Sequence, residues 1–424
     1  MTRLQGLTAR GLRLWTLATR FALIFFLARF LAPADVGLYG LFVATVGYVI
    51  YILGMDLYTF STREILKADP AEWRTPVKSH AGLLGWVYVI VLPSLLLLFA
   101  GGLLPWGMLF WFYVIAISEH VALEMDRMLI AMSDQLSASI IVFIRQAMLP
   151  TVVIPLFMLY PESRSLTVVF IVWVGFNALA IIVGGLFLAR KLRGTALGSI
   201  DWPWILRGLK VSLAFLIGSL CLRLLFAADR QIVANLSSFE VLGAYTFAMS
   251  VGTGLSSALA VSVHQFLYPK LVVSAQEKDL RAFRGGLLSM AIQTLALIAI
   301  AATATFLLKD LLVGWAGHPV YAEFDWLFLA AIGVYGLYNL SLIPHYALYA
   351  LHGDRTILLS TVSSVLVFGA VVWILLWQGV SPVIGVTIGL SAASALLFIV
   401  KWIGYRSLAA HAFSSPKVED ATAS

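Results

Sequence analysis

Apolar runs of about 20 residues, each closed by a short polar stretch, recur along almost the whole chain. Read with a window of about 19 residues, matched to a bilayer core, they predict helices over residues 12–31, 37–58, 81–100, 104–123, 138–160 and 166–189. A basic stretch, Arg190-Lys191-Leu192-Arg193 through Trp204, interrupts the pattern. Six more runs follow, over 208–228, 241–263, 286–308, 326–347, 357–377 and 383–404. The pattern predicts an all-α polytopic membrane protein of about 12 transmembrane helices. It divides into a six-helix half over 1–195, a second over 196–408, and a cytoplasmic tail over 409–424 without fixed structure.

Composition sharpens this. Of 424 residues, 61% are hydrophobic and 12% charged, and the mean hydropathy is +0.96. That is roughly half the charge of a soluble protein, which excludes a soluble globular enzyme and leaves no length for a separate soluble domain. The single cysteine, Cys221, lies between Leu220 and Leu222 and excludes an internal disulfide or a cysteine zinc cluster. The N-terminus imitates a signal peptide ending near Ala32-Pro33-Ala34, but Arg20 and Arg29 interrupt it, so the first helix is expected to be retained.

Threaded with the N-terminus in the cytoplasm, these spans put 21 of the 28 basic residues on the inner side. Only Arg29, Arg164, Arg230 and Lys309 fall outside, and Arg20, Arg145 and Arg223 fall within spans. Cytoplasmic Lys/Arg bias sets orientation, so both termini are expected inside. The net charge of +7 then needs no nucleic-acid partner.

The chain also repeats itself. Asp35-Val36-Gly37-Leu38-Tyr39 opens the second helix, and Glu240-Val241-Leu242-Gly243-Ala244-Tyr245 opens the eighth, with Leu242 as one extra residue. An acid near a helix start favours the dipole, and glycine permits a tight turn. The matching location in each six-helix half implies a parallel repeat about an axis along the membrane normal.

No phosphate-binding Gly-x-x-x-x-Gly-Lys-Ser/Thr loop and no His-Glu-x-x-His occurs, so neither ATP hydrolysis nor zinc peptidase chemistry has a visible site. The predicted outer loops are short, the longest running between about Lys309 and Asp325, which disfavours a membrane glycosyltransferase or glycan polymerase. What is left is charge at membrane depth, expensive and by default functional. Arg20, Arg145 and Arg223 are expected to face a wet cavity and bind an anion, and the guanidinium fork suits phosphate. The alternative is an arginine neutralised by a carboxylate on a neighbouring helix.

Asp56, Glu119 and Glu124, with Asp126 and Arg127 just beyond, gather towards the inner half as candidates for ion coupling or gating. Glu124 and Arg127 are three apart on one helical face, spaced to pair with each other. Asp56 precedes Arg63 by seven residues, two turns along one face, so it could line a cavity mouth or bind a coupling cation, H+ or Na+. His264 and His345 close the eighth and tenth predicted helices, where capping or interfacial hydrogen bonding is a plainer role than proton relay. Trp106, Trp111 and Tyr113 fit an interfacial aromatic belt.

Arg29-Phe30-Leu31-Ala32-Pro33-Ala34-Asp35-Val36-Gly37-Leu38-Tyr39 resembles the first-loop signature of polysaccharide flippases of the multidrug/oligosaccharidyl-lipid/polysaccharide (MOP) export superfamily. Gly54 through Arg63-Glu64-Ile65, Asp229-Arg230-Gln231-Ile232-Val233 through Tyr245, and Pro269-Lys270-Leu271 resemble further segments of the same family, in order through both halves. The resemblance implies two six-helix bundles around a central cavity. It implies a cargo of polyprenyl-diphosphate-linked oligosaccharide, flipped across the bacterial inner membrane by alternating access, without catalysis and without a cofactor. Its implied partners are that lipid-linked oligosaccharide, membrane lipids, and glycan polymerase and chain-length proteins. Arg20 occupies a place comparable to first-helix arginines that line the cavity of lipid II flippases in the superfamily; the chain lacks the extra C-terminal helices of those proteins. The rival within the superfamily is a multidrug/cation antiporter, which calls for a cavity rich in carboxylates and aromatics.

Overall fold

The computed structural model describes residues 3–195 and 198–413, so the tail segment 414–424 lies outside the described residues. The first half runs through α1 (Arg3–Phe30), α2 (Pro33–Gly54), α3 (Tyr58–Lys67), α4 (Arg74–Ser94) and α5 (Leu96–Ala100). It continues through α6 (Leu109–Ala131), α7 (Gln135–Val142), α8 (Met148–Leu159) and α9 (Leu166–Lys191). Then come α10 (Trp202–Leu236), α11 (Phe239–Leu259), α12 (Gln265–Gln276), α13 (Leu280–Ala316) and α14 (Pro319–Glu323), followed by α15 (Trp326–Ala350), α16 (Asp354–Trp377) and α17 (Pro382–Ala412). A π-helical turn, Phe143–Ala147, joins α7 to α8, and another, Ala260–His264, joins α11 to α12.

Among the described residues, ten helical segments are long and apolar enough to cross a membrane, and α10, bent by 45° between Trp202–Leu213 and Phe215–Leu236, makes an eleventh. The twelfth predicted span is α1, which has the length but carries five arginines. The loop expected between Lys309 and Asp325 is shorter than the sequence suggested, because α13 continues to Ala316 and α14 fills most of the rest.

One boundary departs from expectation in a way that matters. The second helix does not run to residue 58 but ends at Gly54, because Met55 and Asp56 both take left-handed backbone conformations (φ 49°). Left-handed conformation costs most residues one to two kcal/mol and interrupts a right-handed helix; aspartate tolerates it better than most. Asp56 and Arg63 therefore do not share a continuous helical face.

Contacts group the chain into two compact units, Met1–Gly243 and Ala244–Ser424. The division falls later than residue 195 because α10 packs along α2, with Gln231 Nε2 donating to Thr45 Oγ1 at 3.0 Å. In the first unit Phe42 of α2 meets Phe112 of α6 and Phe170 of α9 at ring separations of 5.9 and 4.6 Å. In the second unit the core forms where α15 and α17 meet α12 and α13, around Leu271, Phe283, Met290, Ala347 and Leu348.

The repeated glycines do not make turns. Gly37 and Gly243 each sit inside the first turns of a helix, and a Cβ on Gly37 would overlap the Phe239 carbonyl oxygen, one on Gly243 the Pro33 carbonyl oxygen. The two copies of the motif thus lie backbone to backbone, and each glycine admits the other's helix start. Gly243→Ala should lower stability by about 1–3 kcal/mol, the usual cost of overpacking. Gly47→Ala, in open space on α2, should leave it unchanged or raise it. Thermal unfolding of the purified variants checks both.

Candidate functional site

Helix α6 carries the polar centre of the first unit. Glu124 is 6% exposed, and its Oε2 lies 2.9 Å from Nε2 of the buried His80 on α4. Its Oε1 accepts from Arg127 at 2.5 Å and lies 3.6 Å from Nε2 of His120, which is also buried. The Tyr88 hydroxyl and His120 Nδ1 are 2.6 Å apart. A buried carboxylate persists only when paired and hydrogen-bonded, and Glu124 is enclosed by such partners. The Glu124–Arg127 pair follows from their spacing of three residues. His80, 44 positions away, has no signature in the local pattern, whereas His120, four residues before Glu124, was readable as a neighbour on the same face.

Beside this cluster, the Arg127 guanidinium lies 3.8 Å from the centroid of the Tyr58 ring. The Arg223 guanidinium lies 3.4 Å from that of Tyr51, on which α10 packs it. Asp56, in the left-handed break after α2, is 1% exposed. Ser219 lies within hydrogen-bonding reach of it and Arg127 and Arg223 stand nearby, with no ion pair at salt-bridge distance among the described residues.

A second group lies along the same helix. Glu119 pairs with Arg145, which the π-helical turn between α7 and α8 presents, and Trp173 Nε1 donates to Glu119 Oε2 at 3.1 Å. Such turns widen the helix and re-aim one side chain. Arg145 is 4% exposed, so of the three arginines within spans it is the one neutralised by a neighbouring carboxylate. Next to it in sequence, Gln146 accepts at 2.9 Å from Arg20, which is exposed. Among the described residues, no carboxylate comes within salt-bridge distance of Arg20 or Arg223.

In the second unit, His264 and His345 do not close helices. His264 occupies the π-helical turn after α11, and His345 lies within α15. Both His264 ring nitrogens and His345 Nδ1 are buried without hydrogen-bond partners, so neither histidine caps as expected. Tyr346 stands between the two imidazoles, at ring separations of 5.2 and 5.6 Å, and Lys401 lies within Coulombic reach of His345. Lys401, which the sequence assigned to the cytoplasmic flank, is 2% exposed and has no carboxylate partner among the described residues. An unpaired buried cation contributes nothing to folding that a well-fitting apolar side chain could not replace. Lys401→Met should therefore keep or raise the melting temperature, measured by intrinsic fluorescence. A fall of several degrees would mean that the ammonium holds an acceptor.

No family model matches the chain, and no curated protein matches it in sequence. The fold is that of solved transporters. The chain is similar to the inward-facing conformation of a multidrug resistance MATE family transporter of the MOP superfamily, at 12% identity and a TM-score of 0.75 over 94% of this chain and 96% of that one. It is similar to MATE in complex with MaD3S, at 12% identity and a TM-score of 0.63 over 95% of each. It also resembles a MOP superfamily transporter from Pyrococcus furiosus in which reverse polarity of the binding pocket suggests a different function, at 14% identity and a TM-score of 0.54 over 96% of this chain and 94% of that one.

Proposed function

We propose that the protein is an alternating-access transporter that flips a polyprenyl-diphosphate-linked oligosaccharide across the bacterial inner membrane, with both termini in the cytoplasm. One observation carries this reading. In the first unit the carboxylates Glu119 and Glu124 are matched by Arg145 and by Arg127 with His80, while Arg20 and Arg223 stand without a carboxylate at salt-bridge distance among the described residues. Guanidinium groups left over within an apolar body favour an anionic cargo, and their planar fork suits a diphosphate. The pocket of reverse polarity described for the Pyrococcus furiosus protein supports the idea that this fold accommodates cargoes of different charge. Arg145 is then a positioning residue for Glu119 rather than a phosphate ligand. Asp56 is the acid left for a coupling cation.

A second reading, a multidrug/cation antiporter, is favoured by the buried Asp56 carboxylate, which has no ion pair at salt-bridge distance among the described residues, and by the names of the similar structures. The two separate in vesicles containing the purified protein. A short-chain polyprenyl-diphosphate glycan loaded inside should become accessible to an impermeant lectin outside, at a rate that depends on the protein. Movement of an organic cation without movement of the glycan would select the antiporter.

Orientation has its own test. With Cys221 replaced by serine, a cysteine at Glu162 should react with an impermeant thiol reagent applied to intact cells, and one at Lys278 should not; both sites are exposed. Reversed labelling would invert the threading.

A further inference from the structure

Helix α13 is 37 residues long and mostly unburied, with Leu288, Ile292 and Leu295 projecting outwards. It leans on α15 and α12 but leaves an open groove of about 780 Å³ against α15 and α17. The groove wall is apolar, with Leu287, Ile343 and Phe398 along it and Tyr405 near one end. At that end stand Arg284, from the start of α13, and Arg406, from the last turns of α17, both within Coulombic reach of the Tyr405 hydroxyl. Both are exposed, and neither has a carboxylate at salt-bridge distance among the described residues; the Arg406 guanidinium lies 5.7 Å from the Trp402 ring centroid.

We propose that this groove is a binding site for one anionic phospholipid, its acyl chain along the apolar wall and its phosphate on Arg284 and Arg406. The groove opens on the apolar outer face of α13, where a chain that spans a membrane has lipid acyl chains for solvent. Any lipid tail would fill the wall, but the paired guanidiniums select the head group, since they bind a phosphodiester in forked geometry and gain most where the lipid carries net negative charge. Clusters of this kind between spans on the cytoplasmic side are where anionic head groups dock, and the basic bias of the sequence assigns Arg284 and Arg406 to that side. The site is independent of the transport reading, since it invokes neither Arg20 nor Arg223.

Native mass spectrometry of the intact protein tests it, with phosphatidylglycerol and phosphatidylcholine of identical acyl chains as probes. Phosphatidylglycerol should be retained at least tenfold more strongly. The double variant Arg284→Gln/Arg406→Gln should abolish that preference, and Ala291→Trp, which fills the groove, should reduce retention of both lipids. Equal retention of the two lipids by the wild-type protein would overturn the site. So would a preference that survives the double variant, or displacement of phosphatidylglycerol by an equimolar short-chain polyprenyl phosphate, which would assign the groove to a prenyl tail.

Discussion

Glu124→Leu should remove most of the folded protein from the membrane. The substitution strands the Arg127 guanidinium among buried groups and takes the acceptor from His80, and breaking a buried pair from one side typically costs 3–5 kcal/mol. That is a large part of the 5–15 kcal/mol by which a typical protein is stable. The double variant Glu124→Leu/Arg127→Leu should recover much of the loss, because an apolar pair leaves no uncompensated charge. Glu124→Gln should fall between, since it keeps an acceptor for His80 but not the charge. Size-exclusion profiles of a fluorescent fusion, followed by thermal melts, measure all three. A single Leu variant with wild-type abundance and melting temperature would show that Arg127 finds another partner.

The arginines within spans should divide into two classes. Arg145→Ala leaves Glu119 with Trp173 alone and should deplete the protein by the same mechanism, with rescue by Glu119→Leu. Arg20→Ala leaves no carboxylate stranded, and Arg223→Ala leaves Asp56 with Arg127 and Ser219 beside it, so abundance should stay near normal while glycan export falls at least tenfold. Lysine at either position keeps the charge but not the fork, and should export partially. Export and abundance, measured in the same cells, separate the classes. Loss of export only in step with loss of protein would make Arg20 and Arg223 structural as well.

How much of this was legible in the sequence follows from the range of each interaction. Helical periodicity reports within one helix, so the spans, the Glu124–Arg127 spacing and the charged character of α1 were readable. The repeated glycines were visible as a motif, but their use, a close approach of the two helix starts, was not, because it depends on which helices pack. The same limit hid His80 from Glu124 and Arg145 from Glu119, pairs that lie 44 and 26 residues apart. Hydropathy carried the second helix through Asp56 because the left-handed positions are Met55 and Asp56 themselves, and Gly54 before them reads as one more small residue in an apolar run. The burial of Lys401 was hidden for a related reason: a lysine near the end of an apolar run reads as a solvated flanking charge, but α17 continues for eleven residues beyond it.

Arg20, bonded to Gln146, and Arg223, on the Tyr51 ring, are each proposed to meet the anionic part of the cargo. Binding of a short-chain polyprenyl diphosphate to the purified protein, with the double variant Arg20→Ala/Arg223→Ala in parallel, tests this assignment most directly. Inorganic pyrophosphate should compete and an organic cation should not, and the double variant should raise Kd at least a hundredfold without lowering the melting temperature. Unchanged affinity in that variant, or binding that an organic cation displaces and Asp56→Asn abolishes, would contradict it.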